Sequence, residues 1–171
     1  MRDFLEKELR SFYVSDIKFE RNSNKKYLIN VYTSRPGMII GRSGDGVEKI
    51  TKKIKKVLRR NDLDIPSELK LIINDVHSPD SDAGIVISQV IEGLEKRMSF
   101  NRVVKRIVEK VIATRGVKGV KIAVSGRLDG SDMARRVYIR KGQIPLTTFR
   151  ADIDYRDGRA NLSYGVLGVK V

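Results

Sequence analysis

Met38-Ile39-Ile40-Gly41-Arg42-Ser43-Gly44 carries an apolar run into two glycines spaced two residues apart, and a helix with a basic polar face follows. Glycine at both ends of the turn removes the Cβ atoms that would hold a sugar-phosphate chain away. The amides of the turn and of the first helical turn are then free to face an anion. Arg42 and Ser43 put a cation and a hydroxyl where that backbone would pass. From Val47 onward, Val47, Ile50, Ile54, Val57 and Leu58 share one helical stripe, and the other face carries Lys49, Lys52, Lys53, Lys55, Lys56, Arg59 and Arg60. So many cations beside Glu48 repel one another in an isolated helix, and a polyanion relieves that repulsion. Lys49, Lys52 and Lys53, nearest the loop, are the expected phosphate contacts, with Lys55 to Arg60 as a more general field.

A plain strand-to-helix turn would also contain such glycines. The loop is not a Walker motif, because no Gly-Lys-Ser or Gly-Lys-Thr closes it. It is not a dinucleotide fingerprint either, since Gly41, Gly44 and Gly46 fall in the reverse order, GxxGxG. The apolar residues on both sides, the cation within and the basic helix beyond together match the KH module, whose loop clamps the backbone of a few nucleotides of single strand.

The rest of the chain points to the same kind of partner. Its 171 residues hold 35 Lys and Arg against 21 Asp and Glu, a formal net charge of +14, well beyond what solubility needs. A nucleic acid suits that charge better than a membrane, because there is no long apolar span and no Trp. The charged opening Met1-Arg2-Asp3-Phe4-Leu5-Glu6-Lys7-Glu8 is unlike a secretory signal, so an intracellular location is expected. Without cysteine there is no disulfide framework, cysteine-held zinc or thiol nucleophile. A lone histidine, His77, cannot build a multi-histidine metal site or relay. No metal and no cofactor are expected, and no small-molecule substrate.

Phe4, Leu5, Leu9 and Phe12 suggest a first helix ending near Val14. Two strands follow, carrying Ile17 and Phe19, then Tyr27, Ile29 and Val31, with Asn22-Ser23-Asn24 turning the chain between them. Arg35-Pro36-Gly37 stops the second. Beyond the basic helix, Pro66 precedes a strand over Leu69 to Ile73, with room for a short helical turn before it. Proline in the polar stretch His77-Ser78-Pro79-Asp80 marks a domain boundary, giving domains of 1–76 and 77–171. Ser81 is the expected N-cap of a helix lined by Ile87, Val90, Ile91, Leu94 and Met98. A second helix places Phe100, Val103, Val104, Ile107, Val108, Val111 and Ile112 on one side and ends at Gly116 or Gly119. The period then changes to two: Val120, Ile122 and Val124; Val137 and Ile139; Phe149, Ala151, Ile153 and Tyr155. Asp157-Gly158 is expected to turn a hairpin into a strand with Ala160, Leu162, Tyr164 and Val166, and the parity slip to Leu167 and Val169 suggests a bulge. Two helices and about four strands make a two-layer α+β domain.

On the second of these helices Arg102, Lys105, Arg106 and Glu109 share the face opposite the apolar stripe. A cationic ridge at that spacing can track phosphates without base preference. Arg135, Arg136, Tyr138, Arg140 and Lys141 form another basic block, which Arg127 and Arg150 extend. Asp152, Asp154 and Asp157 are the only footing for a nuclease. Alternation places Asp152 and Asp154 outward beside Arg150, Arg156 and Arg159, so ion pairing is the better account, and no paired Glu or His completes a two-metal site. No catalytic residue is assigned, and an enzyme is not expected.

Longer runs carry a closer likeness. Arg35 to Gly44, Val124-Ser125-Gly126-Arg127-Leu128, Ile144 to Tyr155 and Tyr164-Gly165-Val166-Leu167-Gly168-Val169-Lys170-Val171 occur in order across nearly the whole chain. In these the chain resembles the KH-bearing third protein of the small ribosomal subunit, of bacterial type. The resemblance implies a type II KH domain with a three-stranded sheet, followed by the family's own α+β domain, in the subunit head. The implied partners are small-subunit ribosomal RNA, mRNA and neighbouring ribosomal proteins, on a cytoplasmic or organellar ribosome. It further implies that basic residues from Phe100 to Arg106 grip incoming message, here Arg102, Lys105 and Arg106. Relatives often have a second arginine where this chain has Asn101. They also usually carry a basic segment ahead of the first helix and often a C-terminal tail. Ribosomal RNA contacts are expected at Arg127, Arg135, Arg136, Arg140, Lys141 and Arg150. A free KH regulator of single-stranded RNA is the alternative, although such a protein more often repeats its KH unit or adds a disordered tail.

Overall fold

The computed structural model describes residues 2–21, 26–60 and 68–171. They form two compact units, Met1–His77 and Ser78–Val171.

In the first unit, α1 (Arg2–Glu8) buries Leu5, and Leu9 just beyond it is buried too. The helix ends earlier than the expected Val14. The chain tightens into a 3-10 turn at Arg10–Phe12 and swings through Tyr13 at φ +52°, so that Val14 opens β1 (Val14–Arg21). Buried Thr33 holds this corner: its hydroxyl donates to the Phe12 carbonyl at 2.7 Å and accepts from the Arg35 amide at 3.1 Å. The Arg35 guanidinium lies 4.5 Å from the centre of the Tyr13 ring. β1 runs antiparallel to β2 (Lys26–Thr33), with Ile17 opposite Val31 and Phe19 opposite Ile29. β3 (Glu68–Asp75), longer than expected, lies parallel to β2, giving the order β1-β2-β3. The expected turn at Asn22-Ser23-Asn24, Pro66 and the short helical turn before β3 lie outside the described residues.

Parallel strands need a long crossover. Two helices supply it here, α2 (Pro36–Ile40) and α3 (Asp45–Arg60). The glycine loop joins these two helices, so it is not the plain strand-to-helix turn that such glycines could also make. Pro36 sits at the start of α2, where its fixed φ favours a helix and its missing N–H costs nothing. Ile39 is driven inward beside Ile54 and Leu58 of α3, against Leu5, Leu9, Ile17, Ile29 and Val31.

The second unit opens with a 3-10 turn at Pro79–Ser81, then α4 (Ala83–Glu95) and α5 (Phe100–Ala113). Asp82, not Ser81, caps α4: its carboxylate accepts from the Gly84 and Ile85 amides at 2.9 and 3.2 Å. Proline has drawn Ser81 into the preceding turn, where its hydroxyl donates to the Ser78 carbonyl. Met98 falls beyond α4 and is exposed, and α5 stops at Ala113, with Thr114 as C-cap, ahead of either glycine. Both helices cover one face of an antiparallel sheet ordered β5-β4-β7-β6, from β4 (Gly119–Gly126), β5 (Arg135–Gly142), β6 (Asp157–Leu162) and β7 (Gly165–Lys170). The core takes Val90, Leu94, Val104, Val108, Ile122, Val124, Leu167 and Val169.

The largest departure lies between β5 and β6. Phe149 to Tyr155 alternates as a strand would, yet it forms none, and Phe149, Ile153 and Tyr155 are exposed. Pairing begins only at Arg156, which exchanges two backbone hydrogen bonds with Val171 at 2.9 and 3.0 Å. Asp157-Gly158 therefore lies inside β6 rather than in a turn, and Gly158 lets the strand approach Ile87 and Ile91 of α4 closely. The hairpin turns at Ser163-Tyr164, which sets Ala160 opposite Leu167. The parity slip read as a bulge is this turn, and the strand count of four survives.

Candidate nucleic-acid interface

Gly41 stands at φ +69°, ψ −173°, a conformation essentially restricted to glycine. Its amide closes α2 on the Gly37 carbonyl at 3.0 Å, and Arg42–Gly44 forms a single 3-10 turn before α3 begins. Gly46 is the tightest position: a Cβ there would overlap the Ile39 carbonyl oxygen. Of the three glycines, it is Gly46 that lets α3 start against the end of α2. Arg42 is exposed at the tip; the Ser43 side chain lies outside the described set.

The lysines nearest the loop each face a carboxylate. Lys49 pairs with Asp45 at 2.5 Å, Lys52 with Glu48 at 3.5 Å and Lys53 with Glu8 of α1 at 2.5 Å. All are largely exposed pairs, worth about 0.2–1 kcal/mol, so a phosphate can displace the acid. Lys55, Lys56, Arg59 and Arg60 are exposed and have no ion pair among the described residues. Among the described residues, the cations of the basic helix without an ion pair thus lie at its far end rather than at the loop.

On α5 the apolar stripe packs onto β4 and β5 and turns Arg102, Lys105 and Arg106 to solvent. None of the three makes an ion pair or hydrogen bond among the described residues. Asp129 anchors the start of this helix: its carboxylate accepts from the Phe100 amide and the Ser99 hydroxyl, both at 3.2 Å. Lys110, further along, is held at 2.7 Å by Asp80.

The β5 block divides by strand parity. Arg136, Tyr138 and Arg140 face away from the helices; Arg135 and Lys141 share the parity of Val137 and Ile139 and emerge at the strand ends. Arg150 is exposed in the turn where the Ala151 amide bonds the Thr148 carbonyl, away from the sheet. Arg127 points its guanidinium at the protein, donating to the carbonyls of Ser131 at 2.9 Å and Tyr164 at 3.3 Å. Asp132 lies 3.6 Å from its remaining nitrogen. Arg127 ties the loop after β4 to the β6–β7 turn.

A family model for the KH domain matches residues 1–81, and one for the C-terminal domain of ribosomal protein S3 matches residues 90–171. Small ribosomal subunit protein uS3 of Wigglesworthia glossinidia brevipalpis is 42% identical over the whole of this chain and 69% of its own length. The uS3c of Guillardia theta is 40% identical over the whole chain and 76% of its length, and the uS3 of Alkaliphilus oremlandii 40% over the whole chain and 68%. The chain belongs to the ribosomal protein S3 family. Membership in the S3 family makes it an RNA-binding structural protein of the small subunit, and not an enzyme.

Asp154, a residue of the nuclease reading, accepts a hydrogen bond from the Ala83 amide. No group of three His, Cys, Asp or Glu side chains converges as a metal site among the described residues, and none of the described helices is long and apolar enough to cross a membrane. Two cations beside the β5 block escaped the sequence reading, Lys121 of β4 and Lys170 of β7. Both alternate against buried neighbours, Lys121 between Val120 and Ile122 and Lys170 after Val169, and that parity was the available signal.

Proposed function

We propose that this S3-family protein holds small-subunit ribosomal RNA with its two units and offers Arg102, Lys105 and Arg106 to mRNA as it enters the ribosome. The observation that carries the message contact is the exposed cationic face of α5, whose three cations have no acidic partner among the described residues. Such a ridge grips phosphates regardless of sequence, as a surface that every message must pass requires. It needs no cofactor and no turnover. Asn101, beside the ridge, leaves Arg102 and Lys105 as the principal contacts.

Ribosomal RNA contact falls to the basic helix α3 with Arg42 at its loop, and to Arg135, Arg136, Arg140, Lys141 and Arg150 of the second unit. Arg127 supports that surface from within rather than touching RNA. Exposed Leu146 and Phe149 suit contact with neighbouring proteins of the subunit head. The protein works on the ribosome, cytoplasmic or organellar.

Sucrose-gradient sedimentation of a lysate tests the first part: the protein stays with the small subunit through a moderate salt wash. Release into the free fractions contradicts it. Crosslinking to mRNA from a photoreactive group at position 102 or 105 tests the second, and crosslinks confined to ribosomal RNA would refute it.

A further inference from the structure

α4 and α5 both lie on one face of the four-stranded sheet, where they share its core, and the residues of the alternate parity point to the other. Strand register decides what that other face presents. Lys121 stands beside Arg140, Ala123 between Tyr138 and Lys170, and Ser125 between Arg136 and Gly168. Tyr138 is 60% exposed, with the Lys121 ammonium 5.3 Å from the centre of its ring. Its cross-strand neighbour Ala123 is small and buried, so the floor beside the ring is shallow. Along β5, Arg136 and Arg140 flank the tyrosine two residues to either side, roughly 7 Å each way. Four cations thus surround one exposed tyrosine, and Asp157, an acid of this face, lies at the far edge beyond Lys170.

An exposed ring among cations on a flat sheet is the arrangement that takes an unpaired base. The ring offers a π-face to stack on, and the cations meet the phosphates on either side. A duplex keeps its bases stacked inside and cannot use the ring. An acidic protein could meet the charges, but it would not need an open aromatic plane at their centre.

We infer that the face of the C-terminal sheet opposite α4 and α5 is a second RNA site, in which Tyr138 stacks on an unpaired nucleotide while Lys121, Arg136, Arg140 and Lys170 engage the adjoining phosphates. This rests on the RNA-binding reading above and adds a base contact to what is otherwise phosphate attraction.

The test uses the full chain and a 12-nucleotide single-stranded RNA with one 2-aminopurine, followed by anisotropy and by quenching of the base analogue. Unmodified protein binds and quenches. Tyr138→Ala weakens binding by about 5- to 150-fold, the range for removing one base–aromatic stack, and abolishes quenching; Tyr138→Phe retains both. Arg136→Glu with Arg140→Glu weakens binding and lowers its salt dependence. A 12-base-pair RNA duplex is bound equally by unmodified protein and Tyr138→Ala. If Tyr138→Ala keeps the affinity and the quenching while the unmodified protein binds, the inference is wrong and the RNA-binding reading stands. If the unmodified protein binds neither RNA, that wider reading fails. If the charge reversals leave RNA binding unchanged but block incorporation into the subunit, the face serves a protein neighbour and the inference is overturned.

Discussion

Asp154 Oδ2 accepts a hydrogen bond from the Ala83 amide at 2.7 Å, joining residues 71 positions apart. Asp82 serves the next two amides of the same helix start, so two carboxylates from distant segments satisfy three donors that α4 cannot pair internally. Both charges also sit at the positive end of the helix dipole.

Replacing Asp154 with Ala therefore lowers the stability of the second unit by about 1 kcal/mol, in the range of a lost helix cap. It also frees the segment carrying Phe149 and Ile153. Urea unfolding gives the first effect, and proteolysis between β5 and β6 the second. Equal stability and equal cleavage would show the bond to be incidental.

Asp129 performs the corresponding task for α5 from a left-handed backbone, φ +52° and ψ 27°. Asn tolerates that conformation and keeps an acceptor oxygen; Ala does neither. Asp129→Asn should fold with nearly unchanged stability, and Asp129→Ala should lose about 1–2 kcal/mol. Thermal melts of the two variants distinguish this from a purely electrostatic role, under which Asn would be as harmful as Ala.

At the KH loop the two glycine replacements differ in kind. Gly46→Ala drives a methyl into the Ile39 carbonyl and should cost about 1–3 kcal/mol as the two helices shift. Gly44 has open space around it but φ +85°, so Gly44→Ala carries backbone strain alone, about 1 kcal/mol. The order of the two melting temperatures checks this.

Charge removal on α3 separates the cations that have an ion pair among the described residues from those that have none there. Lys55→Ala, Lys56→Ala and Arg59→Ala together should weaken binding of single-stranded RNA more than Lys49→Ala, Lys52→Ala and Lys53→Ala together. The second set already has carboxylates beside it, and removing it leaves those acids to repel the RNA only weakly through solvent. Every phosphate that goes unneutralised lowers the slope of log K against log salt by about 0.7. Titrations at several salt concentrations measure both effects.

Much of this arrangement is legible in the chain itself, where a period is long and repeats. Phe100 through Val111 fixes α5 and with it the exposed face of Arg102, Lys105 and Arg106, because both follow from one helical spacing. The five residues of α2 are too few to show a period, so the helix before the loop is not legible in the sequence. Phe149 to Tyr155 alternates like a strand, but strand formation needs a partner edge. Arg156 meets Val171 first, a non-local pairing that local alternation cannot reveal. Cap choice between Ser81 and Asp82 turned on the 3-10 turn set by Pro79. Among the cations, the Lys49–Asp45 and Lys52–Glu48 pairs follow from helical spacing, whereas the Lys53–Glu8 pair and the inward aim of Arg127 depend on folding.

The exposed ridge of α5 is where the proposed role in translation can be tested most directly. Ribosomes carrying Arg102→Ala with Lys105→Ala should assemble normally and translate unstructured message at the usual rate, yet slow several-fold at a stable hairpin ahead of the decoding site. Single-molecule timing of passage through such a hairpin makes the comparison. Passage as fast as with unmodified ribosomes would contradict the assignment of this face to incoming mRNA.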